Sequence, residues 1–249
     1  MGELFIEGRN RLLTRGTHES AGYDVAAIND VILKGKTITK VSLDVKISDG
    51  PENIYAQLLS RSSICINLQC ITVGSIIDEV NQEFCSLMYN ISDNDVTIKA
   101  GQKICQAIFY HTYQPTNLSI ELISEDAKIP QLSKLKSYDI SSCEDITLLP
   151  HKITKVHTGI KIDMSKCKDI YMQLSSKTHI DSYLTVGGVI DKDYSGEIIC
   201  LLFNITNQSV NVCKGEIISQ AIFYNIFHPL NVKVYMKNRN QSGFGSTDE

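Results

Sequence analysis

Asp191 and Tyr194 stand three residues apart in the stretch GGVIDKDYSG, with Gly187, Gly188 and Gly196 around them. A carboxylate beside an aromatic ring in a glycine-rich turn can act as general base or water orienter, a contribution of about 10²–10⁴-fold in rate. The same Asp can instead cap the backbone N–H groups of a hairpin turn. The Tyr can be a strand-edge residue, and each Gly can simply satisfy a turn with φ > 0. Elsewhere Asp24 follows SAGY, Arg61 precedes the hydroxyls of Ser62 and Ser63 in SRSS, Gln106 lies in CQA, and the tail reads NRNQSGFGSTDE. A guanidinium, an amide and hydroxyls can hold phosphate oxygens, and a carboxylate can hold a hard cation that keeps its waters. Singly, each of these is more often a solvated surface residue.

The elements that must position these residues occur twice. YDVAAINDVILKGKTITKVSLDVKI from Tyr23 aligns without gaps to YDISSCEDITLLPHKITKVHTGIKI from Tyr138. YAQLLSRSSI matches YMQLSSKTHI, CSLMYNIS matches ICLLFNIT, and GQKICQAIFY matches GEIISQAIFY, all at offsets between 113 and 116. Four collinear matches define a duplicated domain. We read copy one as residues 1–125, copy two as 126–236 including a polar linker around Pro130, and a C-terminal arm from 237 to 249.

Within each copy the pattern is β. NVKVYMK alternates apolar and polar residues, EIICLLFNI is an apolar run fit for a sheet covered on both faces, and turn signals such as SDND, KAGQ and CKGE recur at short intervals. SIIDEVNQEFCSLM could form a helix by itself, and only its pairing with copy two makes it a hairpin. The expected class is all-β, with many short antiparallel strands in a sandwich, jelly roll or barrel.

A formal net charge of −4 and the absence of a Lys/Arg stripe argue against a nucleic-acid partner. No apolar stretch reaches the length of a membrane span. Eight scattered Cys without ligand spacing or a secretory segment read as reduced thiols in a cytoplasmic or nuclear protein, and the Asn-x-Ser/Thr matches at Asn90, Asn117 and Asn204 as chance.

In their order, GYD with Asp24, SRSS, CQA, GGVIDKDYSG and the Gly/Ser-rich tail resemble the five motifs of the homotrimeric dUTPase family over nearly the whole chain. That resemblance implies two tandem jelly-roll-like β-barrels with a flexible C-terminal arm. It implies hydrolysis of dUTP to dUMP and pyrophosphate with Mg²⁺, which keeps uracil out of DNA. In the family, motifs 1, 2 and 4 come from one subunit, motif 3 from a second, and motif 5 from the arm of a third.

Copy one keeps motif 1 (Gly22, Tyr23, Asp24), motif 2 (Arg61, Ser62) and motif 4 (Gly101, Gln106), but its motif 3, around Asp78, has Asn81 for Tyr and Glu83 for Gly. Copy two keeps motif 3 and has Ser137 for Gly22, Lys177 for Arg61 and His179 for Ser63. The complementary losses predict one composite site per chain, a herpesvirus-like monomeric solution in which a different copy has kept motif 3.

By resemblance, Asp191 is the base, Tyr194 packs against deoxyribose and excludes a 2′-hydroxyl, and the backbone around Gly187, Gly188, Ile190 and Gly196 reads uracil. Arg61, Ser62, Ser63 and Gln106 bind phosphates, and Asp24 holds Mg²⁺ through water, while Gln220 is read as structural. In the arm, Phe244 stacks on uracil, Arg239 contacts phosphate, and Gly243, Gly245, Ser246 and Thr247 wrap the γ-phosphate. About twelve residues at about 3.3 Å each give the arm a reach of roughly 40 Å. Departures from the family pattern are Ser60 and Ser63 in motif 2, Ser195 in motif 3, and Asn240 and Ser242 in motif 5. The rival readings are a dUTPase-derived interaction protein without catalysis and, on the related fold, a dCTP deaminase.

Overall fold

The computed structural model describes residues 5–8, 13–49, 54–73, 76–77, 83–111, 113–133, 137–177 and 180–226. These form two compact units, one of the described residues to Asp49 and from Ala56 to Phe109, the other of Ile54–Tyr55 and Tyr110–Asn225. Nearly every element is a strand, and every recorded pairing is antiparallel. Among the described residues no helix is long and apolar enough to cross a membrane. The all-β, jelly-roll-like expectation holds.

The first unit has one sheet ordered Phe5–Gly8, Ile38–Asp49, Glu83–Asn90, Cys70–Thr72, and another ordered Tyr23–Ala26, Lys103–His111, Ile54–Ser60, Ile76–Ile77. Strand propensity is high along both, and the alternation of Ile38–Asp49 sends Val41, Leu43, Val45 and Ile47 inward onto Phe84, Met88 and Ile104. The described parts of SIIDEVNQEFCSLM are strands, but Ile76–Ile77 pairs with Ala56–Gln57 in one sheet and Glu83–Asn90 pairs with Ile38–Asp49 in the other, so the hairpin expected there is corrected to two strands in different sheets.

The second unit repeats the plan. A five-stranded sheet runs Gln131–Leu132, Tyr138–Ser141, Ile217–Asn225, Ile170–Ser175, Val189–Ile190, and a three-stranded one runs Ile153–His157, Ile199–Asn204, Tyr183–Thr185. In the apolar run at 199–204 only Cys200, Leu202 and Asn204 are buried, whereas Ile199, Leu201 and Phe203 are half-buried. The sheet there turns one face to the core, so the expectation of burial on both faces is corrected.

The boundary between copies also differs from the sequence reading. Ser119–Leu122, assigned above to copy one, pairs with Ile160–Asp163, as Phe5–Gly8 pairs with the end of Ile38–Asp49. The stretch read as a linker is tied down as well: Gln131–Leu132 pairs with Tyr138–Asp139, and Lys128 donates to the Gly215 carbonyl at 2.8 Å. Backbone hydrogen bonds at 119–122 decide the matter over composition.

Two of the Asn-x-Ser/Thr matches have a structural explanation. Asn90 and Asn204 are fully buried at equivalent places. Each donates through Nδ2 to two carbonyls, Leu33 and Asn94 in one case and Leu148 and Gln208 in the other, and each accepts from the N–H and hydroxyl two residues on. They staple the turns after their strands.

Candidate active site

Asp24 is the centre of a polar cluster in the first unit. Its strand runs beside Lys103–His111 in a register that places Gln106 directly opposite. Gln106 Nε2 donates to Asp24 Oδ1 at 3.1 Å, Arg61 Nε lies 3.3 Å from the same oxygen, and Lys103 Nζ lies 3.1 Å from Oδ2. Only 4% of Asp24 is exposed, a burial that a carboxylate tolerates because cations and an amide replace its water. Gly22 lets the neighbouring strand close: a Cβ there would sit 3.2 Å from Gln106 Cβ and from Ile108 Cγ1.

Sequence reasoning missed Lys103. Residues three apart on a regular strand face opposite sides, so Lys103 and Gln106 should not meet one carboxylate. The register slips between Lys103 and Cys105, and this bulge turns both side chains toward Asp24.

Arg61 precedes the helix Ser62–Leu68, for which no helix was expected. Its backbone is extended at the N-cap, Ser62 is exposed and Ser63 half-buried, so a guanidinium and two hydroxyls collect at the end of the Ile54–Ser60 strand.

Copy two carries the altered counterpart. Among the described residues Asp139 pairs with Lys177, and Lys103 is replaced by Ile217 at the same slipped register. Ser137, where copy one has Gly22, donates its hydroxyl to Gln220 Oε1 at 2.9 Å, and Gln220 Nε2 reaches the Ser176 carbonyl at 3.4 Å. Gln220 is bound up in the barrel, in line with its structural reading. His179 lies outside the described residues.

The second cluster lies in the second unit. Val189–Ile190 pairs with Met172–Gln173, and the chain then turns through Asp191–Tyr194, closed by the Tyr194 N–H on the Asp191 carbonyl at 3.1 Å. Asp191 is exposed and, among the described residues, its carboxylate has no hydrogen-bond partner. The turn does not use it as a cap.

The glycines here have conformational reasons. Gly187 and Gly188 have φ of 69° and 97°, and a Cβ on Gly188 would lie 2.8 Å from Leu174 Cβ. Gly196 lies under the phenol of Tyr194, whose hydroxyl donates to the Glu197 carbonyl at 2.9 Å. Tyr194 is 42% exposed and, with Lys192, Asp193 and Ser195, forms one wall of a cleft of about 600 Å³. The rest of its lining comes from Ser119–Glu121, Lys161–Asp163 and Ser165. Asp191 does not line this cleft.

No group of three or more His, Cys, Asp or Glu that could hold a metal occurs among the described residues. Asp78, Asn81, Arg239, Gly243, Phe244, Gly245, Ser246 and Thr247 lie outside them.

A protein-family model described as dUTPase matches the chain twice, over residues 9–131 and 125–248. The deoxyuridine 5'-triphosphate nucleotidohydrolase of fowlpox virus is 33% identical over 141 residues, covering 52% of this chain and 96% of that protein. The mitochondrial protein of the same name from Homo sapiens is 34% identical over 134 residues, covering 50% of this chain and 52% of that one. A solved Staphylococcus bacteriophage 80alpha dUTPase aligns with a TM-score of 0.45 at 22% identity, over 53% of this chain and 98% of that one.

Proposed function

Because the chain belongs to the dUTPase family, we propose that it is a dUTP diphosphatase with one composite active site per chain. Copy one supplies the phosphate-binding cluster and copy two the base and the nucleoside contacts. The observation that carries this reading is the complementary state of the two barrels. Copy one gathers Arg61, Lys103 and Gln106 on a buried Asp24, where copy two has Lys177, Ile217 and a Gln220 turned into the barrel. Copy two presents an Asp191 carboxylate that has no hydrogen-bond partner among the described residues, beside an exposed Tyr194.

Asp191 takes the proton of the water that attacks the α-phosphorus of dUTP. Tyr194 packs against deoxyribose, and backbone groups near Gly188 and Ile190 pair with uracil, where a wrong base leaves buried polar groups unmatched. Arg61, Lys103, Gln106 and the hydroxyls of Ser62 and Ser63 take the phosphate oxygens and spread the charge of the transition state. The arm, with Arg239, Gly243, Phe244, Gly245, Ser246 and Thr247, closes over base and γ-phosphate.

The donor set fits Mg²⁺ held mostly by the triphosphate. Both Asp24 oxygens already face donors, and a single carboxylate reaching the ion through water suits a cation that gives up its hydration reluctantly. Bound there, Mg²⁺ would add Lewis-acid neutralisation of the phosphates.

Pyrophosphate release from dUTP with Mg²⁺ tests the reading, with dCTP run alongside. Asp191→Asn is expected to lower turnover by about 10²–10⁴-fold, while Asp78→Asn leaves it unchanged. No release by the intact folded protein would leave the interaction-module reading in its place, and preference for dCTP would favour a deaminase.

A further inference from the structure

Glu197, next to Gly196, ties the Tyr194 turn to a distant corner of its barrel. Its Oε1 accepts the backbone N–H groups of Gly159 at 2.8 Å and Thr158 at 3.2 Å, and its Oε2 lies 2.8 Å from His157 Nδ1. Its carbonyl accepts the Tyr194 hydroxyl at 2.9 Å. Gly196 must be glycine for this, because a Cβ would fall 2.5 Å from that hydroxyl oxygen. The corner is a left-handed kink, with φ of 67° at Gly159.

Copy one builds the same corner with a different partner, and the strand register matches Glu83 to Glu197, which corrects the sequence alignment of Glu83 with Gly196. Asp44 takes a φ of 47° where copy two has Gly159, and the Ser42 hydroxyl donates to Glu83 where copy two has His157 on Glu197. The Glu corner is therefore part of the barrel. The imidazole occurs only beside the complete DYSG turn.

We propose that His157 and Glu197 form a latch that positions Tyr194 against the sugar, with His157 acting through Glu197. The proposal rests on the dUTP reading above. His157 is a positioning residue here, because nothing places it against the nucleotide.

The latch is sensitive to protons. The hydrogen bond to Glu197 raises the His157 pKa above the ordinary 6.5; burial opposes this, the carboxylates of Glu197 and Glu144 add to it, and Lys155 opposes it. Glu144 also accepts the His157 backbone N–H at 2.9 Å, and Cys143 donates its N–H to the His157 carbonyl at 3.0 Å. Burial pushes Glu197 up, but the hydrogen bonds from His157, Gly159 and Thr158 outweigh it and hold the carboxyl below its ordinary 4.5. Because the folded His157 pKa is raised, the charged latch is complete below about pH 6.5 and is lost as pH rises through that folded value.

Two measurements on the full chain test this. The first is an NMR titration of the His157 ring without nucleotide, in the wild type and in Glu197→Gln. The second is the ratio of kcat/KM for dUTP over UTP from about pH 5.5 to 9, which brackets histidine titration, in the wild type, His157→Ala and His157→Asn.

Glu197→Gln should return His157 to an ordinary pKa. The wild-type ratio should fall about tenfold as His157 loses its proton, the scale of one charge-assisted hydrogen bond. His157→Ala should give the low ratio throughout, and His157→Asn, which keeps a donor that does not titrate, a flat profile near the high one. An unmoved His157 titration in Glu197→Gln, or an unchanged ratio and pH profile in His157→Ala, overturns the latch. A wild type that turns over neither nucleotide sinks the dUTP reading instead, and the latch then stands or falls on the titration.

Discussion

Asp24→Asn and Asp139→Asn remove the same carboxylate from the two copies, and the structure assigns them different costs. The Asp24 side chain is 6% exposed, and its partners Arg61 and Lys103 are 11% and 35% exposed. Breaking a buried pair by removing one member costs about 3–5 kcal/mol. The lower end applies, because Lys103 can turn to water and the new amide keeps an oxygen for Gln106, so about 3 kcal/mol is expected. Asp139 and Lys177 are 17% and 23% exposed, and one flexible ammonium loses its partner, so about 1 kcal/mol is expected there. Two compact units need not unfold together, so urea denaturation followed by tyrosine fluorescence should place the larger loss in a single transition. In the pyrophosphate assay Asp24→Asn should lower turnover by on the order of 10²-fold, and Asp139→Asn should leave it within about twofold. Equal losses of turnover in the two variants would refute the division of labour between copies. An Asp24→Asn protein as stable as the wild type would refute the ion-pair reading of the cluster.

Two further outcomes follow from particular contacts. Gly188→Ala combines a φ of 97° with a Cβ 2.8 Å from Leu174 Cβ, and should cost about 2–3 kcal/mol, whereas Gly101→Ala, strained by φ alone, should cost about 1 kcal/mol; thermal denaturation separates them. Burial pushes the Cys105 and Cys200 thiols up to about 12, while Cys213 is exposed, so a disulfide reagent at about pH 8 should modify Cys213 in the folded protein and reach the other two only on unfolding.

The repeat, the β class, and Arg61 and Gln106 as companions of Asp24 were legible because they depend on residue identity and order. What was not legible depends on backbone irregularity. Lys103 joins Asp24 through a bulge that a period of two hides. The helix Ser62–Leu68 carries the β-branched Ile64 and Ile66, with no side-chain cap on Arg61 and no acidic residue in its first turn. It lacks the signals by which a helix is read, and packing of Ile64 into the core holds it. The Ser119–Leu122 strand has the composition of a continuation of copy one, and only its partner strand reveals its place.

The duplication supplies a physical control within one chain. Features present in both barrels recur with the same geometry. They include the left-handed positions at Lys36 and His151, Asp44 and Gly159, Gly101 and Gly215, the stapling amides of Asn90 and Asn204, and the register slips beside Ala26 and Ser141. A barrel needs these in order to turn its corners and satisfy its buried amides. Arg61, Lys103 and the Gln106 to Asp24 bond belong to one barrel, and Tyr194 over Gly196 to the other. Since each barrel folds without the other's set, neither set is required by the fold. Ile217 makes the point at a single position: the backbone slip that aims Lys103 at Asp24 persists in copy two, yet it carries an apolar side chain with no charge to deliver. The slip is thus a property of the barrel, whereas the charge carried at its end is a property of one copy.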